Sequence, residues 1–186
     1  MKKTILFLFA VICSLVITTV TSNVFAVTYK AYPLGYKYAT IDVDNYTYLW
    51  APYFNNTVSA VQSWNNCGLT GRSIYVTTSS PNKIYQNPMP ENWFGLYEPL
   101  ETDTSGAQTR TYVTTKFRIT LNTSELSSEN DFVKQAAACH ELGHAFGLAH
   151  NDDADPGKTI MRSSSLTVNT PQTYDKNAVN YLWPNW

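Results

Sequence analysis

The sequence predicts an α+β domain in which a twisted, mixed β-sheet packs on two long helices and a further helix closes the chain. Three observations carry that prediction. A helical segment, Asn55 to Asn65, is enclosed by strand-like segments before and after it, an order that belongs to α+β folds. The segment Thr111 to Leu121 alternates from Val113 onward, with Phe117, Ile119 and Leu121 on one face, as a half-buried strand does. The run from Asp131 to His150 reads as a helix that leaves through a glycine and carries every histidine of the chain.

Each element has its own local reason. Lys37 to Val43 is strand-like. In Asn55 to Asn65, Val58, Val61 and Trp64 recur at near-helical spacing. Ser73 to Thr78 is β-branched and aromatic, bounded by Gly71 and by Ser80-Pro81-Asn82, which marks a strand. Lys83 to Gln86 and Trp93 to Tyr97 are shorter strands, the second a candidate sheet edge; Trp93 and Phe94 read equally well as core. Asp131 to Cys139 is rich in good helix formers, with Ser128 as its candidate N-cap. Gln172 to Trp183 forms the closing helix, with Pro171 pre-set at its start.

Lys2 and Lys3 precede an apolar run from Ile5 to Ile17, and a polar stretch then ends at Val24-Phe25-Ala26. A charged start, an apolar centre and a small-residue cleavage site describe a secretory signal over residues 1–26. The apolar run falls short of the roughly 20 residues that span a bilayer; an uncleaved anchor is the alternative. Residues 27–186 then form a single domain, with 27 to about 36 as an N-terminal arm or a short propeptide. Loss of Lys2 and Lys3 leaves eleven basic against fourteen acidic residues, a net charge of −3. No basic cluster survives cleavage, which argues against nucleic acid or an anionic membrane as partner. The thirteen Tyr and five Trp suit an exported domain with many strands and loops.

The chemistry is concentrated in His140-Glu141-Leu142-Gly143-His144-Ala145-Phe146-Gly147-Leu148-Ala149-His150. His140 and His144 lie one helical turn apart on one face, able to grip one ion. Gly147 adopts positive φ cheaply and lets the chain swing His150 back to the same ion. Three imidazoles leave the fourth position of a tetrahedral zinc open, as catalytic sites do. Glu141, about 100° round the helix from His140, reaches that open position as a general base without being a ligand.

This string, followed by a polar loop and Met161 eleven residues after His150, resembles the matrixin branch of the metzincins, in a bacterial-type, minimal secreted form. Ser59 to Asn65 is similar to the first helix of matrixin catalytic domains, and Gln172 to Trp183, with Asp175, to their closing helix. The resemblance implies a zincin fold, a Met-turn at Met161, one catalytic Zn2+ and endopeptidase activity. It further implies a polypeptide substrate laid along an edge strand, and a monomer is expected. Arg162 to Leu166 would wall the pocket for the residue beyond the scissile bond. Asn151 after the third histidine and Arg162-Ser163 after the methionine depart from the animal pattern. The cysteine-bearing inhibitory motif and the spare histidines for a second zinc are missing as well. The alternative from another class is a secreted zinc-containing binding or inhibitory module without turnover.

Cys67 and Cys139 remain after signal removal. In an oxidising setting an even pair reads as one disulfide, worth about 4 kcal/mol for a loop of that size. Two buried thiols, or Cys67 as an inhibitory zinc ligand, are the other readings. Asp152, Asp153 and Asp155 invite a calcium assignment, but their spacing matches no calcium loop and a solvated acidic loop explains them. Asp175 either bonds beneath the Met-turn or favours the first turn of its helix through the dipole.

Overall fold

A computed structural model describes residues 35–47, 51–104 and 113–184. The export signal read over 1–26 and the candidate propeptide up to residue 34 lie outside them. In chain order the elements are β1 (Thr40–Asn45), α1 (Ala51–Asn66), β2 (Ser73–Thr77), β3 (Lys83–Asn87), β4 (Gly95–Asp103), β5 (Val113–Asn122), α2 (Thr123–Leu126), α3 (Asp131–Ala145) and α4 (Thr173–Leu182).

The five strands form one mixed sheet in the order β2-β1-β3-β5-β4. β2, β1, β3 and β5 run parallel to their neighbours, and β4 lies antiparallel to β5 at the edge. Alternation decides which face is buried: Ile41, Val43, Ile74, Ile84, Phe117, Ile119 and Leu121 are almost fully shielded. α1 packs on α3 and on β2, while α3 packs on β4 and β5. Trp64 of α1 is the largest wholly buried side chain, 4.7 Å from the Phe146 ring, and its Nε1 donates to the Cys139 carbonyl at 3.0 Å. A single indole thus ties α1 to the helix that bears the histidines.

Several boundaries depart from the sequence reading. α1 begins four residues earlier than Asn55. α3 is capped by Asn130, whose side chain accepts from Val133 N at 3.1 Å, and not by Ser128. The edge strand starts at Gly95, so Trp93 and Phe94 precede it, and it runs on through Pro99 to Asp103. Pro99 is tolerated because an edge strand has no outer partner to serve, and the register shifts beside it. Residues 35–38 are part of the fold: Tyr36 N donates to Ala145 O at 2.8 Å and Lys37 N to Thr114 O at 2.8 Å.

Candidate metal centre

α3 positions His140 and His144 on its buried face, and the way it ends positions His150. Gly147 stands at φ 92°, Gly147 N donates to His144 O at 2.9 Å, and Leu148 N donates to Gly143 O at 2.9 Å. This pair of bonds is a Schellman close, which needs the left-handed residue that only glycine adopts without strain. The chain turns back, and the three imidazoles form a near-equilateral triangle with ring centroids 4.9, 5.0 and 4.9 Å apart. Their ligand atoms all lie within 4.8 Å of one another, and Nε2 of His140 and His150 approach to 3.1 Å.

Two of these rings are aimed from behind. His140 Nδ1 donates to Ile160 O at 2.9 Å and His144 Nδ1 to Leu148 O at 2.8 Å. A carbonyl only accepts, so the proton sits on Nδ1 and the lone pair of Nε2 faces the common point. Burial pushes His140 down to about 4 and His144 down to about 3, so both are neutral and ready to ligate at physiological pH. Among the described residues this is the group of histidine, cysteine and acidic side chains that can hold a metal ion.

Glu141 is buried beside this triangle, and burial raises its carboxyl to about 8 against the opposing backbone N–H of Tyr97. The close neighbour of its side chain is Gly95, the first residue of β4. A Cβ there would stand 2.7 Å from Glu141 Cγ and 2.8 Å from Oε1. Gly95 therefore gives the carboxyl its room, and it was missed in the sequence because its role depends on strand register. His140, Glu141, His150 and Gly95 share a cavity of about 460 Å³. Trp93, Phe94 and Ala137 also line it, as does the segment from Arg162 to Leu166.

Met161 lies under α3: a Cβ on Gly143 would fall 2.2 Å from its Sδ. The turn that carries it hangs on Asp175, which is fully buried. Asp175 accepts from Thr159 Oγ1, from Ile160 N at 2.9 Å and from Gln172 N at 2.7 Å. Both sequence readings of Asp175 thus merge, since one carboxyl serves the turn and the start of α4. Asn151 N donates to Met161 O at 2.7 Å, fastening the segment after His150 to the same turn. Asn122, also missed, is a buried hub. Its Oδ1 accepts from Met89 N and Ser124 N, both at 3.0 Å, and its Nδ2 donates to Glu91 O at 2.8 Å and Trp93 O at 2.9 Å. It thereby holds the segment that leads into the cavity. The only sequence signal for it was an Asn ending an alternating strand just before a short helical turn.

The bridge considered between Cys67 and Cys139 is not formed; both are free thiols. Cys67 Sγ donates to Trp64 O at 3.1 Å and Cys139 Sγ lies 3.7 Å from Ser63 Oγ, so each sulfur has its own partner. Neither belongs to the metal-capable group. Asp152 spends both carboxylate oxygens on Ser163, accepting from N and Oγ at 2.8 Å each.

Fold and site together define a mixed α+β domain with a three-histidine group, His140 and His144 buried and His150 exposed, able to hold a metal ion beside a cavity that Glu141 lines. No protein-family model matches the chain, and no curated protein does. Among solved structures it is similar to the GM1-bound form of the ECX AB5 holotoxin, at 12% identity and TM-score 0.45, over 83% of this chain and 86% of that one. It is also similar to high choriolytic enzyme 1, a hatching enzyme zinc-protease from the medaka fish Oryzias latipes. That match has 13% identity and TM-score 0.49, over 82% of this chain and 95% of that one. Both scores fall below 0.5, so function is read from the chain's own side chains.

Proposed function

We propose that this chain is a secreted, matrixin-like zinc endopeptidase with Glu141 as its general base. The observation that carries the reading is the convergence of three imidazoles, two of which, His140 and His150, line one cavity with the buried carboxyl of Glu141, itself outside the metal-capable group. The donor set suits zinc: three imidazole nitrogens, no anionic ligand, and ring orientation fixed by main-chain carbonyls. When bound, zinc supplies Lewis acidity, polarising a peptide carbonyl and acidifying water.

The chain's residues supply the rest. β4, antiparallel at the sheet edge, offers main-chain groups along which an extended peptide can add as a strand. Glu141 stands directly beneath the first residue of that strand. Its carboxylate takes the proton of an attacking water and returns it to the departing amine nitrogen, a transfer worth about 10²–10⁴-fold. A module that only bound metal would have no use for an acid in that place.

The test combines metal content with hydrolysis. Elemental analysis should find one zinc per chain, lost in His150→Ala, and casein digestion should stop on chelation. Glu141→Ala should keep zinc and fold yet lose digestion by several orders of magnitude. Undiminished digestion by the alanine variant, with zinc in place, would refute the assignment.

A further inference from the structure

The wall of the cavity that follows Met161 holds a cation whose bonding is incomplete. Arg162 Nη1 donates to Asp152 O at 3.1 Å and to Ala154 O, which spends both of its protons. Arg162 Nε is shielded from solvent and has no hydrogen-bond partner, and Nη2 has none among the described residues. A buried donor left without an acceptor is uncommon in folded proteins and calls for an explanation. The unused edge, Nε with Nη2, presents two parallel N–H groups, the fork that a carboxylate fills with two bonds.

The surroundings keep that fork in place. The Asp152 carboxylate is bonded to Ser163 and makes no hydrogen bond to the guanidinium, although the Arg162 charge joins those bonds in holding that carboxyl below its ordinary value. The same bonds fix the wall one residue beyond Arg162. Ser165 in this wall has φ 61°, the left-handed region, and is the one non-glycine residue there among those described. A polar residue held in such a conformation marks a segment whose path is imposed by its surroundings. Arg162 lines the cavity together with His140 and Glu141, so a group bound to it sits close to the proposed point of cleavage.

We infer that Arg162 is a receptor for a substrate carboxylate, through its Nε–Nη2 edge, and that it gives the enzyme a preference for an acidic group just beyond the bond it cuts. The inference builds on the peptidase reading. The carboxylate has two sources, an Asp or Glu side chain within the polypeptide or the carboxylate at a chain end.

Binding separates these questions from catalysis. The probes are short acetylated peptides of the form Ala-Xaa-Ala, with Xaa Glu or Gln, each made with an amidated and a free C-terminus. They are titrated against metal-free protein and followed by the fluorescence of Trp93, which lines the same cavity. The amidated Glu peptide should bind at least tenfold more tightly than the amidated Gln peptide. Arg162→Gln should erase that ratio, and Arg162→Lys, which keeps charge but loses the fork, should leave an intermediate one. A tenfold gain of the free-acid Gln peptide over its amide, lost in Arg162→Gln, would assign the receptor to chain ends instead. Equal binding of all four peptides by the wild type overturns the inference, as does a ratio that persists in Arg162→Gln. The wild-type ratio decides alone should either variant fail to fold. Selective binding without hydrolysis by the zinc-loaded protein would leave Arg162 as the receptor and count against the peptidase reading alone.

Discussion

Gly95→Ala isolates the proposed proton carrier without touching a histidine. The added Cβ would lie 2.7 Å from Glu141 Cγ, 2.8 Å from Oε1 and 3.1 Å from Cδ. Ordinary carbon contact begins near 3.4 Å, so the overlap at Cγ is about 0.7 Å. The strand cannot yield easily, because Gly95 is paired with Leu121 and Asn122 N donates to Phe94 O at 2.9 Å. Glu141 must rotate away from the cavity. Overpacking of this kind costs about 1–3 kcal/mol, or a drop in Tm of roughly 2–12 °C for a domain of this size. The larger effect is on chemistry: a base moved off its site forfeits about 10²–10⁴-fold in kcat. The assay is hydrolysis of a quenched peptide, run beside elemental analysis for zinc and circular dichroism. Zinc content and fold should be those of the wild type. Near wild-type turnover in Gly95→Ala would refute the placement of Glu141 as the proton carrier beneath β4.

Asp175→Ala removes one buried acceptor that serves three donors, so it should lower stability by about 3 kcal/mol or more, read as a lower urea midpoint; an unchanged midpoint would refute its role under the turn. Burial pushes Cys67 up to about 11 and raises Cys139 further, so iodoacetamide at pH 8 should label neither thiol until urea unfolds the chain, and a Cys67–Cys139 linked peptide in non-reducing maps would contradict the free-thiol state. The metal-free protein should be most stable in a narrow window around pH 6.5, the ordinary histidine value. Below that window the unfolded chain takes up the protons that buried His140 and His144 refuse, and above it the native state holds a proton on Glu141 that the unfolded chain has lost. The alkaline decline should stay well under roughly 1.4 kcal/mol per pH unit up to pH 8, because the unfolded histidines offset part of it and Glu141 itself loses its proton near there; a steady rise in urea midpoint from pH 5 to 8 would refute it.

What was legible in the sequence was what short-range chemistry dictates. The histidine spacing, the glycine that closes α3 and the alternation of β5 are each written within a dozen residues, and the structure brings those histidines together. Boundaries were harder to read where two capping residues compete, as Ser128 and Asn130 do before α3. β4 escaped as a full strand because Glu98, Pro99, Glu101 and Asp103 lack the apolar alternation of a half-buried strand. Gly95 against Glu141 and Gly143 over Met161 were invisible, since each depends on residues brought together across the fold. The cysteine pairing failed for a related reason: an even count says nothing of where two sulfurs point.

The outer bonds of His140 and His144 end on the main-chain oxygens of Ile160 and Leu148. Every residue type has a carbonyl, so no codon change at 148 or 160 deletes either acceptor. Inheritance therefore acts on ligand orientation only through the route the chain takes, while side chains at those two positions drift under packing alone. A site aimed this way tolerates wide divergence around it, so descent could erase overall similarity between distant copies and leave the imidazoles still converging.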